Sequence, residues 1–97
     1  QPSDRYAWQS LQLANEKLAK TTDSASLKNI ATINALRYRS HDQLWSSRYE
    51  SALTSLTQAK QLAEKLQTTA QASSARPLLA NINAEIKAVK TAKDFEP

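Results

Sequence analysis

The chain has 97 residues, a formal charge of +4 and 40% hydrophobic content, which bounds it to a single helical-sized domain over residues 1–97 with room for one core. It contains no cysteine, which excludes disulfides, thiolate metal sites and cysteine nucleophiles. It also contains no glycine, and its three prolines stand at positions 2, 77 and 97, so phosphate-cradling glycine loops are excluded and residues 3–76 hold none of the usual helix breakers.

An all-α fold is therefore expected, with a thin core because much of the hydrophobic content is alanine. In chain order, Ser3 or Asp4 can cap a first helix whose apolar positions Ala7, Leu11, Ala14 and Leu18 share one face, with Trp8 beside them. A turn follows at residues 21–23, after which Asp23 or Ser24 can cap a second helix carrying Leu27, Ile30, Ile33, Leu36, Leu44 and Trp45. Run on without a break to Thr69, that helix would be ~69 Å long, more than its short partners can cover. Ser47 and Glu50 have the spacing of a capping box, so a break near Ser46-Ser47 is expected. The alternative is a continuous helix with Ser47 exposed midway.

The third helix has the most regular pattern, with Tyr49, Ala52, Leu56, Ala59, Ala63 and Leu66 at alternating helical spacings. The polar run from Gln67 to Ser74 reads as its fraying end and a loop. Pro77 fits the first turn of a fourth helix capped by Ser73 or Ser74, with Leu79, Ile82, Ile86 and Val89 as the core stripe. Helices of this length joined by short loops form either an antiparallel four-helix bundle or two stacked helical hairpins of the tetratricopeptide-like kind.

Chemistry-bearing residues are sparse. His41 is the only histidine, and its neighbour Asp42 points elsewhere on a helix, so no metal site is expected. Glu16, Glu50, Glu64 and Glu85 fall singly along the helices and read as solvated surface charges. No catalytic residue, cofactor or metal is assigned, and an enzyme is not expected.

One segment stands apart. Half of the six aromatics, and three arginines, lie between Arg37 and Tyr49, and these are the residue types of protein-binding hot spots and of base-stacking surfaces. The plainer reading places Trp45 and Tyr49 in the core at the helix corner, with the arginines reaching outward. On the binding reading, Arg37, Arg39, Trp45, Arg48 and Tyr49 form a contact surface for another protein. A nucleic acid is less suited, because Asp42 and Glu50 interrupt the positive field.

From Leu44 onward the chain carries Leu44-Trp45, then Ala52, Leu56, Ala59 and Leu62, then Arg76 leading Ile82, Ile86 and Val89. In these residues it resembles the bacterial uroporphyrinogen-III C-methyltransferase-like family of HemX type, with Ser73-Ser74-Ala75 standing where that family often has Asp-Pro. The resemblance implies a bacterial inner-membrane protein with a periplasmic helical region that acts as a scaffold. The opening Gln1-Pro2 agrees with an exported chain whose signal or anchor has been removed, or with an excised domain. No apolar run nears the ~20 residues that cross a bilayer. The expectation is thus a non-catalytic, protein-binding helical domain of the bacterial envelope, periplasmic, membrane-associated only through a removed anchor, and without a small-molecule substrate. The alternatives are an immunity or inhibitor protein that blocks a toxin or enzyme, and a small basic nucleic-acid-binding protein.

Overall fold

A computed structural model describes the backbone of residues 2–95 and the side chains of residues 6–95. Helix follows helix along the chain: α1 (Pro2–Thr21), α2 (Ala25–Trp45), α3 (Tyr49–Leu66) and α4 (Ala72–Asp94), with no strand among the described residues. Each helix packs on its neighbours in chain order, α1 on α2, α2 on α3 and α3 on α4. The result is the expected all-α helical bundle. Side chains that join opposite helix ends show the antiparallel sense. Gln9 of α1 donates to Asp42 near the end of α2 at 3.2 Å, and Lys93 near the end of α4 donates to Glu50 at the start of α3 at 2.9 Å.

The core belongs to α2, α3 and α4. Ile33, Leu56 and Ile82 are its fully buried large side chains, and Ala52, Ala59, Ala63 and Ala75 among them let the backbones approach closely. The regular pattern of α3 lies wholly in this core, with Tyr49 at its margin, and Leu79, Ile82, Ile86 and Val89 serve α4 as expected. On the seam between α2 and α3, the buried Ser55 hydroxyl donates to the buried Gln43 Oε1 at 2.7 Å.

The first helix departs from its pattern. Ala7, Leu11, Ala14 and Leu18 are exposed rather than core-facing. A different side of α1 docks, carrying Trp8, whose ring sits edge-on to His41 at 5.2 Å and to Trp45 at 6.0 Å between centroids. An indole covers more area than any residue of the leucine-alanine stripe, and with the Gln9 to Asp42 bond it sets the rotation of α1. Leu27 and Trp45 of α2 are likewise about half exposed, not core residues. Helix α1 begins at Pro2, and the expected capping by the Ser3 or Asp4 side chain lies outside the described residues.

The turns obey local chemistry. Ser24 caps α2 as expected, its hydroxyl accepting from the Leu27 N–H at 3.2 Å. The break near Ser46-Ser47 is present, but Ser47 closes α2 instead of capping α3. The Ser47 N–H bonds to the Leu44 carbonyl at 3.0 Å and the Arg48 N–H to the Gln43 carbonyl at 2.8 Å, the paired bonds of a Schellman ending. That ending requires a left-handed residue, and Ser47 takes φ 59° where most proteins place glycine. The capping box is therefore not formed. Arg48 is the N-cap of α3 and gives no side-chain bond to it.

Helix α4 also starts earlier than expected. Its N-cap is Gln71 rather than Ser73 or Ser74, and Pro77 lies inside the helix, past its first turn. The Thr69 hydroxyl accepts from the Gln71 N–H at 3.1 Å and turns the chain into α4. Pro77 is exposed, so water can serve the carbonyl that its ring leaves without a partner.

Candidate functional site

Helix α2 is the hub of the molecule, and its two arginines show why. Arg37 and Arg39 are adjacent but one in sequence, so at 3.6 residues per turn they point roughly 200° apart around the helix axis. One side of α2 is filled by neighbours. The other is open.

On the filled side, Glu85 of α4 reaches across to α2. Arg37 donates through Nε to Glu85 Oε1 at 2.8 Å and through Nη2 to Oε2 at 3.4 Å, and His41 Nε2 lies 2.6 Å from the same Oε2. Arg37 Nη1 also donates to Asn34 Oδ1 at 3.3 Å. Burial alone would push the Glu85 carboxyl up. The hydrogen bonds from His41 and Arg37, and the attraction of both groups, outweigh burial and hold the carboxyl below its ordinary range. The His41 ring is itself braced by Trp8 on one side and by Tyr38, tilted at 6.4 Å, on another. Glu85 is thus a structural clamp between α2 and α4 and not a solvated surface charge. Among the described residues, no three of His, Cys, Asp or Glu gather as a metal site.

On the open side, α1 and α3 stand as walls on either side of α2 and enclose a groove of about 890 Å³. Its apolar lining comes from Ala19 of α1, Ala35 and Leu36 of α2, and Leu62 of α3. Around that lining stand Lys20, Lys28, Arg39 and Lys65, with Glu16 as the one acid. Glu16 accepts from Gln12 Nε2 at 3.0 Å. Among the described residues, none of the four cations meets a carboxylate.

The structure separates the five residues that the sequence grouped. Arg37 is consumed by Glu85, and Tyr49 packs against the core. Trp45 is 44% exposed beside Trp8, and Arg48 is exposed at the corner between α2 and α3. Arg39 alone lines the groove. Sequence reasoning missed Lys20, Lys28, Leu36, Leu62 and Lys65 as a set, because they come from three helices and each looks like ordinary helix surface. A usable signal was the surplus of unpaired cations on α1 and α2, which only the packing brings to one face. Compared with protein-family models, curated proteins and solved structures, the chain matches none.

Proposed function

We propose that this chain is a non-catalytic protein-binding domain, and that its contact face is the groove between α1 and α3 over α2. The observation that carries this reading is an apolar lining, Ala35, Leu36 and Leu62, framed by cations that meet no carboxylate among the described residues. Apolar floors with charged rims are the makeup of protein-recognition surfaces, where burial supplies affinity and the rim supplies specificity and steering. A nucleic-acid partner fits this face less well, because base recognition without sequence preference relies on aromatic platforms. The aromatics Trp8, Tyr38, Trp45 and Tyr49 all lie outside the groove lining. An extracytoplasmic setting in the bacterial envelope is part of the same proposal and rests on the HemX-type resemblance of the second half of the chain.

Site-specific photocrosslinking in the producing cells tests the reading. A photoreactive residue at Gln61, in the groove, should yield a protein adduct, while one at Lys87 on α4 should not. Adducts from both positions, from Lys87 alone, or adducts that disappear on nuclease treatment would overturn it.

A further inference from the structure

We infer that the groove receives a single amphipathic helix from a partner protein, with an apolar stripe flanked by carboxylates. This deepens the reading above and rests on it.

The molecule contains its own template for the arrangement. On the filled side of α2, helix α4 presents a carboxylate, Glu85, to Arg37 and His41. On the opposite side, Arg39 has the same basic chemistry and meets no carboxylate among the described residues, and the walls of α1 and α3 stand open over α2. Small Ala19 and Ala35 let a backbone come close, and Leu36 and Leu62 offer side chains against which an apolar stripe can pack. From Lys28 to Arg39 the floor runs ~17 Å along α2, which is about three turns of helix. Lys20 shares the α1 wall with Glu16, whereas Lys65 on the α3 wall and Lys28 and Arg39 of α2 have no acid beside them in the lining, so the incoming helix must carry acids beside its stripe, above all on the edge that faces α3.

A second copy of this chain does not meet that requirement. No helix of the chain carries more acidic than basic residues, so a copy would bring no net negative charge to answer the cations of the groove. A nucleic acid would satisfy the cations but leave the leucines facing a polar backbone.

The test uses three synthetic 14-residue helical peptides that share one leucine-alanine stripe and differ only in glutamate, glutamine or lysine flanks. Each is titrated into the isotope-labelled protein at low and at physiological salt, and backbone amide shifts are followed. The glutamate peptide should shift Ala35, Leu36, Arg39 and Leu62, bind at least roughly tenfold more tightly than the glutamine peptide, and weaken as salt rises. Arg39→Glu should lose roughly tenfold in affinity, and Arg39→Lys should retain most of it. Because Arg39 is exposed and meets no carboxylate among the described residues, both variants should fold, with unchanged thermal melting. Equal binding by the acidic and neutral peptides, or shifts centred on Trp8 and Trp45, would overturn the inference. So would tighter binding of a 14-nucleotide single strand at the same amides, or shifts on dilution that report self-association. The Gln61 crosslink separates the two levels. An adduct there without glutamate-peptide binding removes the acidic helix and leaves protein binding standing, whereas peptide binding without any cellular adduct removes the protein-binding reading itself.

Discussion

The two sides of α2 carry similar residues and do opposite things with them. On one side Arg37 and His41 are absorbed by Glu85, and the charge becomes part of what holds α4 in place. On the other, Lys28 and Arg39 stand with Lys20 and Lys65 around an apolar floor and meet no carboxylate among the described residues. The difference teaches that a basic residue on a helix announces neither structure nor function. What decides is whether the fold supplies an acid within reach.

That contrast can be broken by experiment, most forcefully through the core on the filled side. Ile33→Ala should cost roughly 2–5 kcal/mol by leaving a cavity at a fully buried site, measured by urea unfolding. Little or no loss would mean that α2, α3 and α4 do not share one core. Next in size, Glu85→Gln should cost about 1.5–3 kcal/mol, because charge-assisted bonds to two partly buried groups are weakened together. A variant as stable as the parent would show that the clamp contributes nothing net.

Acidification probes the same clamp. Folding lowers the Glu85 pKa, so the unfolded chain takes up this proton more readily than the folded one. The clamp's contribution is therefore complete above the ordinary carboxylate value of 4.5 and is lost as pH falls below it, through the lowered folded value. Unfolding free energy measured against pH should decline on the acid side, and Glu85→Gln should flatten part of that decline. An identical profile in the variant would assign the acid sensitivity elsewhere.

The smallest effect is expected on the open side. Arg39→Ala should change stability by no more than about 0.5 kcal/mol, and any gain at low salt, from relief of repulsion among the cations, should vanish as salt is added. A loss comparable to that of Glu85→Gln would erase the distinction between the two sides.

Much of this architecture was legible in the sequence. The alternating three-four spacing from Tyr49 to Leu66 located α3 and its buried face, Leu79 to Val89 did so for α4, and Ser24 marked the start of α2. These succeeded because periodicity and capping are local. Three features failed for lack of a local cause. The leucine-alanine stripe of α1 has as good a helical period as α3, yet Trp8 meets His41 and Trp45, and that tertiary contact turns the stripe outward. Ser47 and Glu50 satisfy the capping-box pattern, but the backbone bonds that end α2 claim Ser47 first. Glu85 and Arg37 are 48 residues apart, and no spacing rule joins them. The candidate site was legible only in Arg39. The cluster from Arg37 to Tyr49 wraps around the helix and its corner, so nearness in sequence placed its members on different faces.

The order in which the helices pack has a consequence for time. All the principal helix contacts join elements that are consecutive in the chain, so a folding molecule closes only short loops before each contact rewards it. Folding should be fast, within the microsecond to millisecond range of helical proteins of low contact order. Within the folded state, α1 packs chiefly on α2 and contributes no residue to the buried core from Tyr6 onward. Its amides should exchange with solvent sooner than those of α3, so that one wall of the groove opens and recloses while the floor and the opposite wall stay put.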